Sequence, residues 1–221
     1  MHLRPSNADT TSEVRIEVIT LPGDLARYHL VAAFLRMRKK VFVDQKAWRL
    51  HHAEDIEFEQ YDTFDTTYVI AHQNGRVVGG ARLKRTDRSH GWGSVVYSYM
   101  IRDAYLGLLP GLPQDLCSNN PPMDDRTWEL TRLIADPTLG IVEAILEVAN
   151  AYLFAVGAGK CLFLGSPAFM RMASRLGWSP MRLGEVVQNE SGRFIAFGCD
   201  VIAPAEARAS KARDSDKVRQ S

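Results

Sequence analysis

The chain has 221 residues, 46% hydrophobic and 24% charged, enough for one α/β-sized soluble domain with a core of its own. A formal net charge of +1 gives no global electrostatic case for binding nucleic acid or a membrane surface. Three widely spaced cysteines (Cys117, Cys161, Cys199) and six histidines without ligand spacing argue against a disulfide framework and a metal site, and for a reducing cytoplasm.

Residues 1–12 are polar, carry no pattern of a secretory signal, and are expected to be flexible. Val14 to Ile19 alternates as a strand and ends at Pro22-Gly23. From Asp24, a plausible N-cap, Leu25, Tyr28, Ala32 and Leu35 recur at helical steps, predicting a helix to about Val41 or Phe42. The following charged, aromatic-rich stretch to residue 65 has no periodicity, and connections of that length are usually functional or mobile. Thr67 to His72 and Arg76 to Leu83 form a predicted hairpin around Gln73-Asn-Gly75. Residues 84–94 read as polar loop and 95–126 as irregular chain with an apolar patch from Tyr105 to Leu109.

Trp128 to Asp136, WELTRLIAD, reads as a central strand. Residues 140–157 form a helix apolar nearly all round, broken by enough polar residues to exclude membrane insertion. Lys160 to Leu164 is the next strand, joined by a right-handed crossover. Pro167 to Leu176 is a short helix stopped by Gly177, with Trp178 packed behind it. Met181 to Glu185 and Arg193 to Ile202 complete a strand pair. The domain is expected to span 13–203, followed by a disordered tail, 204–221.

WELTRLIAD poses a physical problem. A buried strand carries Glu129 and Arg132, and burying an ion costs several kcal/mol unless it is paired or used. With period two the two charges point to opposite faces unless a bulge brings them together. A structural ion pair on a half-exposed strand is the plainer explanation.

The element order is that of an N-acetyltransferase-like (GNAT) α-β-α sandwich with a mixed, largely antiparallel central sheet. Four blocks sharpen this: RKKVFVDQKAW with Arg38, Phe42 and Trp48; EFEQYD with Glu57, Glu59 and Asp62; VVGGARL with Arg82; and ELTRL with Glu129 and Arg132. In that order they resemble the acyl-homoserine-lactone synthases (LuxI-type autoinducer synthases), and MRMASRLGW is similar to that family's helix ending in Gly-Trp. The resemblance covers roughly residues 25–185. Glu59 stands where the family usually has Asp. KRTDRSHGWGSVVYSYM replaces the family's run after the arginine, which leaves the acyl pocket in question. The GNAT phosphate-binding signature is absent, since Asp136-Pro-Thr-Leu-Gly140 leads into the helix.

The resemblance implies acyl transfer from an acyl thioester, on acyl carrier protein or coenzyme A, to the amine of S-adenosylmethionine. Lactone closure then releases methylthioadenosine. S-adenosylmethionine is a co-substrate, and no cofactor is implied. An unperturbed Glu129 would match the amine poorly, so burial raising its pKa would suit a proton acceptor. Phe42 and Trp48 would face the sulfonium, Glu59 or Asp62 would supply negative charge, and Arg38 would hold the substrate carboxylate. Arg82 and Arg132 would pair with Glu59, Asp62 or Glu129 and pin the N-terminal segment to the sheet. The acyl chain would lie among Met100, Leu146, Phe163, Leu164, Gly165 and Met172, and Gly165, lacking a hydroxyl, hints at an unsubstituted chain. Lys160, Arg171, Arg175 and Arg182 would dock an acidic carrier protein. Another GNAT-fold N-acyltransferase, making acyl amino acids without a lactone, and a non-catalytic carrier-binding module are the competing readings.

Overall fold

In the computed structural model of the chain, residues 13–189 and 192–204 are described. The expected flexible N-terminus, and the expected tail apart from Pro204, lie outside them.

The chain begins with β1 (Arg15–Thr20), a short 3-10 turn at Leu25–Arg27, and α1 (Tyr28–Arg38). The helix does not stop at residue 42: it widens into a π-helical segment, Lys39–Gln45. Asp24 does not cap it either. Its carboxylate accepts from Thr20 N at 2.8 Å and from Arg27. The aperiodic stretch that follows contains one minimal hairpin, β2 (His52–Ala53) and β3 (Ile56–Glu57).

Next come β4 (Thr67–Gln73) and β5 (Arg76–Arg85), the latter two residues longer than the alternation predicts because Lys84 still points inward and is buried. The predicted polar loop folds into a second small hairpin, β6 (His90–Trp92) and β7 (Val95–Tyr97), and the irregular stretch contains α2 (Met100–Tyr105). The strand β8 (Thr127–Ala135), the helix α3 (Val142–Ala155), β9 (Lys160–Gly165) and α4 (Pro167–Arg175) fall where the sequence places them. The chain closes with β10 (Met181–Arg182), β11 (Val187–Asn189) and β12 (Gly192–Asp200).

The main sheet runs β1-β4-β5-β8-β9-β12-β10, with β11 paired to β12. Among the described strands only the β8–β9 pairing is parallel; the crossover through α3 makes it so. α3 and α4 cover one face, where Leu83, Trp128, Leu130, Ile145, Leu146 and Phe163 pack together. α1 covers the other face with Phe34, Tyr68 and Ile70, beside a third cluster of Tyr99, Ile101, Leu116 and Leu162 under α2. Each fully buried Leu, Ile or Phe contributes about 1.5–3 kcal/mol, so these clusters carry the fold. Gly80 lets α1 dock: a Cβ there would lie 2.7 Å from Val69 O and 2.9 Å from the Phe34 ring. The result is the expected GNAT-like α-β-α arrangement with a mostly antiparallel sheet.

Candidate active site

Two irregularities of β8 build the site. Opposite it, the register with β5 shifts between Gly80 and Arg82, so two β8 residues face one on β5. Arg132 sits at that bulge with φ 55°, a left-handed conformation a non-glycine residue adopts at an energetic cost. The bulge is the condition under which both charges of WELTRLIAD share a face. Arg132 Nη1 reaches Met100 Sδ at 3.9 Å, while Glu129 accepts from Met100 N at 3.1 Å. On the other edge, β8 pairs with β9 only from Thr127 to Leu130, ending at Phe163, although the strands continue to Ala135 and Gly165. Beyond that rung the two strands part.

Around Arg132 three guanidiniums meet three carboxylates. Arg38 donates to both oxygens of Asp62, at 2.7 and 2.9 Å, and from Nε to Glu57. Arg82 donates to Glu59 Oε1 at 2.7 Å and to Thr131 at 3.1 Å, with Nη1 in an ion pair 3.2 Å from Asp62. Arg132 donates to Glu59 Oε2 at 2.7 Å and to Glu57 Oε1 at 3.1 Å. The charges balance, which is what burial requires of ions.

Burial alone would raise Asp62 and Glu57. For Asp62 the Arg82 and Arg38 charges reverse this, and for Glu57 the Arg132 and Arg38 charges do, so both carboxyls are held below their usual range. Tyr68 OH adds a bond to Asp62 at 2.9 Å. The expected pairing of Arg82 and Arg132 with the acidic segment is therefore present. Arg38 departs from expectation. It is 0% exposed and each of its three nitrogens donates to Glu57 or Asp62, so it holds the acidic segment instead of facing solvent, where a substrate carboxylate would arrive.

Among the described residues Glu129 has no ion-pair partner. It is buried, and it accepts the backbone N–H groups of Met100 and Ile101, at 3.1 and 2.8 Å, at the start of α2. Burial pushes its carboxyl up to about 7 against the pull of those two bonds. Its cross-strand neighbour is Lys84, whose ammonium is drawn to Thr63 Oγ1 at 2.9 Å and Asp65 at 3.0 Å. Asp65 in turn meets His90 Nε2 at 3.0 Å. Burial lowers Lys84; burial would raise Asp65, but bonds from Thr63 and Lys84 bring it down to about 2.

The aromatic side is stacked. Phe42 and Trp48 lie 5.0 Å apart at 14°, with Arg132 over Phe42 at 5.5 Å. Lys46 Nζ sits 5.3 and 5.0 Å from the two ring centroids. Trp48 also meets Phe194 of β12 edge-on at 6.4 Å, joining the N-terminal segment to the far side of the sheet.

The expected acyl-lining residues do not form one wall. Leu146 and Phe163 border a cavity on the α3 face, and Met172 packs into that face too. Met100 and Leu164 lie on the opposite face, with Arg132 and the α2 cluster, because alternate residues of a strand face opposite ways. Gly165 is overlaid by Phe169: a Cβ would lie 2.5 Å from Phe169 Cδ1.

The basic docking residues separate as well. Arg171 and Arg175 are exposed on α4, and Arg182 is exposed with Nη1 3.9 Å from Glu185. Lys160 starts β9, about 17 Å from its α4 end by strand rise, and pairs weakly with Asp200 at 3.8 Å.

Lys84, Asp65, Asp103 and Phe194 were not among the expected site residues. Lys84 alone had a sequence signal: it follows Arg82 by two on a strand and so shares its face. Asp103 accepts from Tyr61 OH at 2.8 Å and from Ser98, and burial raises its carboxyl.

A family model described as autoinducer synthase matches residues 25–196. The chain belongs to the autoinducer synthase family. Its activity is acyl-homoserine-lactone synthesis, an acyl transfer to S-adenosylmethionine that releases methylthioadenosine. An acyl-homoserine-lactone synthase of Pseudomonas aeruginosa is 29% identical over 177 residues, 76% of this chain and 79% of that protein. One of Acinetobacter nosocomialis is 27% identical over 185 residues, covering 78% and 92%. Among solved structures, TofI in a ternary complex with an inhibitor and MTA superposes with a TM-score of 0.68 and 26% identity, covering 90% of this chain and 96% of that one. A CoA-dependent acyl-homoserine lactone synthase, BjaI, with SAM and isopentyl-CoA has a TM-score of 0.73 at 18% identity, covering 93% and 90%, a likeness of fold. No helix among the described residues is long and apolar enough to cross a membrane.

Proposed function

We propose that Glu129 accepts the proton of the S-adenosylmethionine amine as that amine attacks an acyl thioester held where β8 parts from β9. The amine lone pair forms the new C–N bond, the C–S bond breaks, and the carrier thiol leaves. The methionine carboxylate then attacks the carbon beside the sulfonium, closing the lactone and releasing methylthioadenosine. The observation that carries this is a buried carboxyl that accepts two backbone N–H groups, has no ion-pair partner among the described residues and is lifted to about 7, on the strand that splits the sheet. An α-amine has a pKa of about 8, so a carboxyl near 7 is close to matched with it.

The Phe42–Trp48 pair takes the sulfonium, as the cation already beside both rings, Lys46, supports. Glu59 carries the negative charge nearest to Arg132 and to solvent, at 10% side-chain exposure, while Asp62, Arg82 and Arg132 fix it in place. Arg38 positions the acidic segment. Backbone groups along the parted strands stabilise the thioester oxyanion. Arg171 and Arg175 receive an acidic carrier protein on α4, and coenzyme A is the other donor. Three free, buried cysteines accord with a reducing cytoplasm.

The test is Glu129→Gln, assayed for methylthioadenosine release with acyl carrier protein and coenzyme A thioesters in parallel. Turnover should fall about 10²–10⁴-fold with the melting temperature preserved. Wild-type turnover by this variant would remove Glu129 from the proton transfer.

A further inference from the structure

The start of α2 has no cap of the usual kind: Tyr99, the residue before it, makes no side-chain bond to the first turn. Two carboxylates serve that turn instead. Glu129 accepts Met100 N at Oε2, 3.1 Å, and Ile101 N at Oε1, 2.8 Å. Asp103, inside the helix, reaches back to Ser98, accepting its N–H on both oxygens at 3.1 and 3.0 Å and its Oγ at 2.8 Å. Like the returning half of a capping box, these bonds fix the chain as it enters the helix. Ser98 lies two residues before Met100, so fixing it fixes the turn that presents both N–H groups to Glu129.

Asp103 is 0% exposed, and its Oδ2 also accepts from Tyr61 Oη at 2.8 Å. Tyr61 sits between Glu59 and Asp62 and is buried, with Arg82 over its ring at 5.4 Å. The acidic segment is thereby joined to the turn that holds Glu129. Burial raises the Asp103 carboxyl, and the bonds from Ser98 and Tyr61 oppose that rise. Its bonds go to Ser98 and Tyr61 and not to Glu129, so its geometric effect on the chemistry passes through α2.

We propose that Asp103 is a positioning residue for the acyl transfer: by holding Ser98 and Tyr61 it keeps the Met100 and Ile101 N–H groups on the two oxygens of Glu129. This rests on Glu129 as the proton acceptor. Positioning and simple charge act on Glu129 with opposite signs. The two backbone bonds lower its carboxyl and outweigh the nearby Asp103 charge, which raises it. The other charged groups facing Glu129 are Arg82 and Lys84 of β5. Tyr61, Tyr99, Cys117 and Cys161 stay neutral, since burial raises all four. None of these is altered by Asp103→Asn, whose amide keeps the shape but puts an NH2 where one oxygen accepted.

The test uses purified full-length protein with S-adenosylmethionine and a panel of acyl thioesters of different chain lengths. The pH profile of kcat/KM for methylthioadenosine release is recorded for wild type, Asp103→Asn, Tyr61→Phe and Glu129→Gln, with melting temperatures. In Asp103→Asn the limb near 7 should move up by about one unit, roughly the effect of one lost bond to the carboxylate. Activity on the acid side of the limb then falls about tenfold, and the loss narrows as pH rises. Tyr61→Phe should move the limb the same way by less, and it decides alone if Asp103→Asn does not fold. A limb that stays in place in the folded variants makes Asp103 merely structural, and one that moves down makes it a charge only; either overturns the positioning role. Those results leave Glu129 standing if its own variant has lost the limb. A limb that survives in Glu129→Gln overturns the role of Glu129, and that of Asp103 with it.

Discussion

Arg82 and Arg132 grip the two oxygens of a single carboxylate. Each sends an Nη2 to Glu59, to Oε1 at 2.7 Å and to Oε2 at 2.7 Å. The two arginines come from neighbouring strands, and Arg132 reaches Glu59 from a left-handed φ of 55°. Glu59 comes from the aperiodic segment, so this one contact ties that segment to β5 and β8.

Removing a charge from the interior of this network should cost more than removing one at its rim. Asp62→Asn breaks buried pairs with Arg38 and Arg82 and should lower stability by about 3–5 kcal/mol. Glu59→Gln keeps an acceptor at the less deeply buried edge of the network, where the side chain is 10% exposed, and should cost less stability than Asp62→Asn. Urea unfolding of the two variants decides this, and equal midpoints would show that depth in the network is irrelevant.

The pH dependence of kcat/KM should follow Glu129. Its carboxylate form is the competent one, so activity should rise with pH through a limb near 7. Glu129→Gln should abolish that limb along with most of the rate. A wild-type profile flat between pH 6 and 8 would contradict a Glu129 raised by burial.

The same group should tilt stability the other way. Its folded pKa, about 7, lies above the ordinary 4.5, so the native state holds the proton more tightly. That stabilisation is fully present below about 4.5 and is lost as pH rises through 7, at about 1.4 kcal/mol per unit, about 3 kcal/mol in all. Asp62 and Glu57 act oppositely. Their folded pKa values are depressed, so their contribution is present above the ordinary carboxylate range and fades as pH falls below it. Urea midpoints from pH 5 to 8 should therefore decline less steeply in Glu129→Gln than in wild type.

Phe194 should matter for substrate affinity although it lies on β12, far from the acidic segment in sequence. Its edge contact holds Trp48, and such aromatic pairs contribute about 0.5–1.5 kcal/mol. Phe194→Ala should raise KM for S-adenosylmethionine by about two- to tenfold, the fold-change those energies correspond to, and leave kcat within a factor of two. A lowered kcat at unchanged KM would assign Phe194 to the chemical step instead.

The sequence exposes this site unevenly. The clash between a greasy strand and two charges marks β8, and period-two alternation states what is needed to reconcile them, a bulge. Its position could not be read, because it depends on Gly80 and Arg82 shifting register on β5. Arg38 is legible as a site residue but not in its role, since its partners are fixed only when the acidic segment folds against α1. α2 is not legible because a six-residue helix lacks two turns of periodicity, and its first N–H groups are satisfied by Glu129, from another element. Phe194 reaches Trp48 across 146 positions, beyond any local pattern.

If Glu129, on a strand split from its neighbour, takes the proton as the amine of S-adenosylmethionine is acylated, lactone formation must depend on it. The most direct measurement is mass spectrometry of purified protein with S-adenosylmethionine and a panel of acyl thioesters of different chain lengths, run beside Glu129→Gln. Equal amounts of N-acyl-homoserine lactone and methylthioadenosine from wild type with at least one donor, and neither from the folded variant, is the expected result. Acylated product without methylthioadenosine, or equal yields from both proteins, would contradict it.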